Sequence, residues 1–176
     1  MKKVFIMLLT LLTLSAQGAK FGVKAGLNNA TNSQGSSSTS GLTAGAMLNL
    51  DLALLNIDVE ALYTNIAPET GTFTYLHIPA TVRLSLLPTV FARAGVQYEN
   101  ILTVEDDNGN DLKSGTNNGL SIILGAGVSL DLPAIPGLII DARYSIPLYN
   151  TTDKDLSKGI VESKVNNFQL TVGILF

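Results

Sequence analysis

The sequence predicts an all-β protein, an eight-stranded antiparallel up-and-down β-barrel that spans a membrane. Three observations support this fold class. Apolar and polar residues alternate with period two through most of the chain, and turn-forming residues separate the alternating runs. Hydrophobic residues make up 46% of the 176 residues and charged residues only 14%. Because no run after the N-terminal segment is long enough for a spanning helix, a closed barrel is the remaining way to satisfy the backbone in lipid.

The N-terminal segment has the parts of a secretory signal peptide. Lys2 and Lys3 form a positive start, residues 4–14 are apolar except for two threonines, and small residues precede a cleavage site after Gly18. We therefore expect a signal peptide over residues 1–18 and one barrel domain over residues 19–176. Without its two N-terminal lysines the chain has nine basic and 14 acidic residues, a balance that does not favour nucleic-acid binding. The chain has no cysteine, which excludes disulfides and thiolate metal sites.

Eight alternating runs predict the eight strands, and their connections alternate in length. Short connections alternate with longer ones along the chain. The short connections span residues 52–54, 87–88 and 133–137, and the longer ones span 31–40, 66–72, 103–118 and 150–166. Short turns at one end and long loops at the other are typical of barrels in bacterial outer membranes, where the short turns face the periplasm. The predicted location is the outer membrane, reached through the secretory pathway. The predicted strands span residues 20–29, 41–51, 55–65, 73–86, 89–102, 119–132, 138–149 and 167–176.

Each predicted strand has one apolar face and one mixed face, and glycine and charged residues recur on the mixed faces. Glycine suits the narrow interior of an eight-stranded barrel, and the charges are near-balanced and rich in arginine, which pairs well when buried. We therefore expect the polar face inside, with paired charges that fill the lumen and prevent it from acting as a diffusion pore. Asp58 or Glu60 is expected beside Arg83, and a shared acid between Arg83 and Arg93. The expected lumen charge network consists of Lys24, Asp58, Glu60, Arg83, Arg93, Glu99, Asp141 and Arg143.

Aromatic residues on the apolar face lie near the ends of the predicted strands. This position predicts a girdle of rings at the depth of the lipid headgroups. The expected members of the girdle are Phe21, Tyr63, Tyr98, Tyr144 and Phe168.

The C-terminal run, residues 168–176, has apolar residues at alternate positions and ends on a phenylalanine. Together with residues 21–27 and 76–80, it resembles the small outer-membrane β-barrel family of OmpA-like and OmpX-like proteins, and the resemblance covers the whole chain after the signal peptide. It implies outer-membrane lipid and the barrel-assembly machinery as partners. No peptidoglycan-binding domain follows the last strand, so no tether to the cell wall is expected. The resemblance also implies a C-terminal assembly signal made of Phe168, Leu170, Val172, Ile174 and Phe176.

Few residues suggest chemistry. His77 is the only histidine, and a lipid-modifying enzyme would need a nucleophilic serine beside it, with Ser85 or Ser145 as candidates. Residues 106–111 resemble a calcium loop but have Asp111 where glycine is required, so neither a metal nor a cofactor is expected. We predict a monomeric, non-enzymatic protein with a structural role or with loops that bind an unknown extracellular ligand. The alternatives are a lipid-modifying barrel enzyme and a soluble, lipocalin-like periplasmic carrier.

Overall fold

The protein forms a closed antiparallel barrel. A computed structural model describes residues 18–32, 38–52, 55–66, 72–105, 118–130, 136–148 and 165–176. Each strand pairs with the next along the chain, and β8 pairs with β1 to close the barrel, so the predicted fold class is confirmed. Within these segments, no helix has the length and apolar character needed to cross a membrane. The strands are β1 (Ala19–Asn32), β2 (Ser38–Asp51), β3 (Leu55–Ile66), β4 (Thr72–Ser85), β5 (Val90–Glu105), β6 (Asn118–Leu130), β7 (Gly137–Pro147) and β8 (Val165–Leu175).

The strand registers set the stagger of the barrel. Phe168 on β8 pairs directly with Asn29 on β1. Register partners can also be followed from Phe168 in the other direction around the barrel, through β7, β6, β5, β4, β3 and β2 in turn, and this route ends at Ala19 on β1. Ala19 and Asn29 are ten residues apart, and this difference is the stagger of the barrel. A stagger of this size tilts the strands and leaves an interior that side chains of eight strands can fill.

The hairpin between β1 and β2 is longer than the sequence predicted. Residues 31–40 have the composition of a loop, yet the ladder continues to the pair formed by Thr31 and Ser38. Polar side chains explain the extension, because Ser38 Oγ donates to Asn29 Oδ1 at 2.6 Å and Thr31 Oγ1 to the same oxygen at 3.3 Å. The loop prediction was therefore wrong at both ends of this connection. β5 likewise continues to Glu105, beyond its predicted end at residue 102.

Outward side chains are mainly apolar, and inward side chains are mainly polar. On β8 the outward residues Leu170 and Val172 are 46% and 48% exposed, whereas the inward residue Thr171 is fully buried. The same pattern holds on β1, where Lys24 is buried between exposed apolar neighbours. This distribution is the reverse of that in a water-soluble barrel and matches a surface that faces lipid.

The five aromatic residues of the predicted girdle are exposed on the outer surface. Tyr144 and Phe168 are register partners on neighbouring strands near the long-loop end. The depth of the five rings in a bilayer stays a prediction. The exposed members are Phe21, Tyr63, Tyr98, Tyr144 and Phe168.

Close approach of strands requires glycine on the inner face. A Cβ atom on Gly45 would collide with the carbonyl oxygen of Ala61 on the neighbouring strand. A Cβ atom on Gly127 would lie 2.6 Å from Cζ of Phe91, whose ring covers this glycine. These positions allow the strands to curve tightly around a packed lumen.

Candidate functional site in the lumen

The interior of the barrel contains three layers of side chains. At the short-turn end, an apolar cluster consists of Met47, Phe91, Ile139 and Leu175. A charged layer follows, and beyond it, toward the long loops, lies a polar layer whose side chains are mainly uncharged, with Glu99 as a charged member. The inward period-two positions of all eight strands build these layers, because a closed barrel directs alternate residues to its axis.

Glu60 is the centre of the charged layer. Its Oε1 atom lies 2.8 Å from Lys24 Nζ and 3.1 Å from Arg93 Nη1. Its Oε2 atom lies 2.8 Å from Arg143 Nη1. One carboxylate on β3 thus joins cations from β1, β5 and β7, and all four side chains are at most 1% exposed.

Asp141 extends the charged layer toward β7. Its Oδ2 atom lies 2.7 Å from Lys24 Nζ and 3.3 Å from Arg93 Nη1, and Thr171 Oγ1 donates to Oδ1 at 3.0 Å. The carboxylate therefore has partners on both oxygens, as a buried charge requires.

Asp58 completes the charged layer on the side of β4. Its Oδ2 atom lies 2.8 Å from Arg93 Nη2 and 3.2 Å from Arg83 Nε. Asn49 Nδ2 donates to the Oδ1 atom at 2.7 Å. Arg83 and Arg93 are opposite each other in the register, so Asp58 is the acid that they share.

The structure brings together seven of the eight residues expected in the network, and Glu99 is the exception. Glu99 is half-buried, and it accepts hydrogen bonds from Gln97 Nε2 at 2.8 Å and Ser121 Oγ at 2.7 Å. It pairs in register with His77, closer to the long loops than Arg93. Strand parity placed Glu99 inside the barrel, but it could not give its height along the axis. The network as the structure has it consists of Lys24, Asp58, Glu60, Arg83, Arg93, Asp141 and Arg143.

Phe91 and Gln169 also support the network, and the sequence reasoning did not single them out. The Phe91 ring lies under two guanidinium groups, with its centroid 4.9 Å from Cζ of Arg83 and 5.5 Å from Cζ of Arg93. Gln169 Oε1 accepts from Arg143 Nε at 2.7 Å. Both residues have inward parity, so the alternation on β5 and β8 contained the signal that could have found them.

His77 lies in the polar layer, as the register partner of Glu99. Within the described segments, two side chains hydrogen-bond to its Nδ1 atom. They are Thr64, through Oγ1 at 3.2 Å, and Gln169, through Nε2 at 3.4 Å. Ser85 is exposed near the short-turn end of the same strand, and Ser145 is buried on β7. The hydrogen-bond partners of Nδ1 in the described segments are therefore a threonine and a glutamine, and Ser145 Oγ has no hydrogen-bond partner there.

In the segments that the structure describes, no group of three or more histidine, cysteine, aspartate or glutamate residues is arranged to hold a metal ion. The calcium-like stretch at residues 106–111 lies outside them, as do residues 1–17 of the predicted signal peptide. The structure therefore does not test the signal peptide, nor the expectation that residues 106–111 hold no calcium ion. β1 begins at Ala19, directly after the expected cleavage site.

The fold and the lumen together define a small eight-stranded transmembrane β-barrel. A model of the outer membrane protein β-barrel domain matches residues 4–176, and the chain belongs to this family of bacterial outer-membrane barrels. No curated protein sequence matches the chain significantly.

Solved structures show the same fold at low sequence identity. Neisserial surface protein A is 20% identical with a TM-score of 0.63, and the match covers 90% of this chain and 96% of that one. The attachment invasion locus protein of Yersinia pestis is 15% identical, with a TM-score of 0.50 over 90% and 99% of the two chains. A major outer membrane protein of Thermus thermophilus has the same identity, TM-score and coverage.

Proposed function

We propose that this protein is a closed, non-enzymatic outer-membrane barrel that presents its long loops at the cell surface for a structural or binding role. The observation that carries the proposal is the charged layer around Glu60. Three cations converge on this carboxylate from β1, β5 and β7 across the barrel. An eight-stranded barrel is just wide enough for side chains to fill, so this ion-paired layer favours a closed lumen over an open pore.

Recording from planar lipid bilayers tests whether the barrel is closed. We expect no stable, large, ion-permeable openings from the full chain. A variant in which Glu60 and Arg93 are both replaced by alanine should conduct more, which would show that the assay detects open barrels. Heat-modifiable migration on gels confirms that each protein is folded before recording. Stable openings from the unmodified protein would contradict the proposal.

A rigid, filled barrel leaves recognition to the connections outside it, where binding residues are commonly found. By its name, the Yersinia pestis protein of similar fold is an attachment and invasion protein, and an adhesive role for the present chain is part of our proposal. Replacing residues 106–117 with a glycine-serine segment of equal length should reduce adhesion of expressing bacteria to cultured epithelial cells, while the amount of folded barrel stays constant. The same replacement over residues 53–54, at the short-turn end, is the control. Equal adhesion of all three strains would contradict a binding role for this loop.

The proposed location is tested by fractionation. Exposed apolar side chains over the outer surface favour retention of the protein in carbonate-washed outer membranes. Recovery in the soluble periplasm would instead support the carrier alternative.

The enzymatic alternative depends on His77. Its ring is buried and hydrogen-bonded to Thr64 and Gln169, and this arrangement favours a packing role in the polar layer. We therefore expect that His77→Ala leaves the lipid composition of isolated outer membranes unchanged. Loss of a lipid-modifying activity in this variant would overturn the non-enzymatic proposal.

A further inference from the structure

His77 and Gln169 connect the polar layer of the lumen to the charged layer below it. Arg143, in the charged layer, donates from Nη1 to Glu60 Oε2 at 2.8 Å and from Nε to Gln169 Oε1 at 2.7 Å. The other end of the Gln169 amide, Nε2, lies 3.4 Å from Nδ1 of His77. The contacts from Glu60 to His77 therefore form one continuous chain, which runs from β3 through β7 and β8 to β4.

The chemistry of the donors fixes the direction of this chain. An arginine Nε–H can only donate, so the atom of the Gln169 amide that faces Arg143 is the oxygen, and the amide NH₂ group faces His77. An amide NH₂ group can also only donate, so Nδ1 of His77 must accept. A neutral imidazole that accepts at Nδ1 carries its proton on Nε2. The contacts therefore require a neutral His77 in the Nε2–H form.

Two threonines meet the same nitrogen and can adapt to either state of the ring. Thr64 Oγ1 lies 3.2 Å from Nδ1 of His77 and 2.9 Å from Thr43 Oγ1. A hydroxyl group can donate or accept, so Thr64 can accept from a protonated Nδ1 and donate to Thr43 instead. The threonine pair therefore does not oppose protonation of the ring.

The Gln169 amide cannot adapt without losing a partner. A protonated ring presents an N–H group to the amide NH₂ group, and two donors cannot bond to each other. Reversal of the amide brings its oxygen to Nδ1 of His77 but turns the NH₂ group toward the Nε–H group of Arg143. Nη2 of Arg143 has no hydrogen-bond partner in the described segments. After reversal, the contact of Arg143 that remains in this chain is the one with the Glu60 carboxylate.

The charged and titratable groups around the His77 ring come from three strands. Glu99 on β5 is its register partner and is half-buried toward the long loops. Arg143 on β7 is joined to the ring through one amide, and the Tyr75 ring on β4 packs against it at 5.6 Å between centroids. The facing side chains of β3 and β8 are uncharged. Because the charged layer and the apolar cluster fill the lumen below, protons reach the ring from the long-loop side.

We propose that His77 and Gln169 form a pH-sensitive switch inside the barrel. With His77 neutral, the amide joins the polar layer to the charged layer. Acid at the long-loop end protonates the ring, reverses the amide and releases Arg143 from Gln169, so the interior loosens while the strands stay paired. The switch rests on the closed lumen proposed above. Open barrels in bilayer recordings would contradict that closure, whereas the test of the switch follows the nitrogen atoms themselves.

Nitrogen NMR of the purified, folded full chain in detergent micelles tests the switch. His77 is the only histidine, so its two ring resonances are identified by residue type. We expect the Nε2–H form at about pH 8, and protonation of the ring on titration to about pH 3.5, a range that includes the ordinary titration of imidazole. Exchange of the Arg143 Nε–H group with water should rise by about tenfold or more at the same midpoint, because this group loses its acceptor.

Three outcomes of this titration would overturn the proposal. They are a ring with its proton on Nδ1 near neutral pH, a ring that stays neutral over the whole range, and exchange at Arg143 that does not follow protonation of His77.

Two variants separate the switch from titration of the network acids. In His77→Asn the side chain stays neutral, so the Arg143 Nε–H group should keep its slow exchange over the same range. In Gln169→Glu the new carboxylate accepts from both Arg143 and the protonated ring, so the ring should gain its proton while exchange at Arg143 stays slow. An unchanged acid response at Arg143 in either variant would show that the network acids cause it and would overturn the proposal. Either variant decides this point alone, so the test is complete even if one of them does not fold.

Discussion

Replacing Glu60 with glutamine should destabilise the barrel strongly while preserving the shape of the side chain. Three cations lie within 3.1 Å of this carboxylate. Lys24 and Arg93 both keep Asp141 as a partner, at 2.7 Å and 3.3 Å. Arg143 keeps the amide oxygen of Gln169, which carries no full charge. The change therefore leaves about one buried positive charge uncompensated, for which a loss of about 3–5 kcal/mol in the free energy of unfolding is expected.

Equilibrium urea unfolding in lipid vesicles measures this loss, and Glu99→Gln is the matched control. Glu99 undergoes the same chemical change inside the same barrel, but its acceptor oxygen bonds to Gln97 and Ser121, which are neutral. A neutral acceptor can replace it at a cost of about 1 kcal/mol. If both variants lose the same amount, or if Glu60→Gln unfolds like the unmodified protein, Glu60 is not the centre of a stabilising network.

Two further predictions concern Arg93 and Phe176. Arg93→Ala removes contacts to three acids and should lower the free energy of unfolding in the same assay by a few kcal/mol. The control is Lys154→Ala, in a predicted solvated loop, which should change the free energy of unfolding little. Equal losses in the two variants would refute the claim that the buried ion pairs of Arg93 stabilise the barrel. Deletion of Phe176 should reduce the amount of folded barrel in cell membranes. Refolding of the purified protein in detergent should change little, because the deletion removes one backbone hydrogen bond, from Phe176 N–H to Phe21 O at 2.7 Å. Equal membrane yields would count against the assembly-signal interpretation.

The alternation of the sequence was sufficient to predict the fold and the inward position of the charged residues. Each strand has its own parity, so Lys24 and Asp141 could be placed inside without knowledge of their neighbours. Their contact across 117 residues of sequence could not be predicted, because it depends on the ten-residue stagger of the closed barrel. The misplacement of Glu99 has the same cause, since parity defines a face but not a height.

Phe91 and the hairpin between β1 and β2 were missed for chemical reasons. An aromatic residue at a strand end suggests a lipid-facing ring, but Phe91 has inward parity and covers two guanidinium groups. Serine, threonine and asparagine around position 31 suggest a loop, but here they bond to one another across a continuing ladder. In the hairpin, composition indicated a loop and pairing with the partner strand gave a longer ladder, whereas for Phe91 the alternation on β5 already indicated the inward position.

The distribution of the charged layer over the strands has a consequence for how the barrel folds. Glu60 on β3 meets cations from β1, β5 and β7, so its contacts exist only when distant parts of the chain have come together. A half-inserted sheet would expose arginines to the lipid core, at about 2–4 kcal/mol for each one near the midplane. Partly assembled forms are therefore high in energy within the bilayer. We infer that insertion and closure occur as one cooperative event, with few populated intermediates.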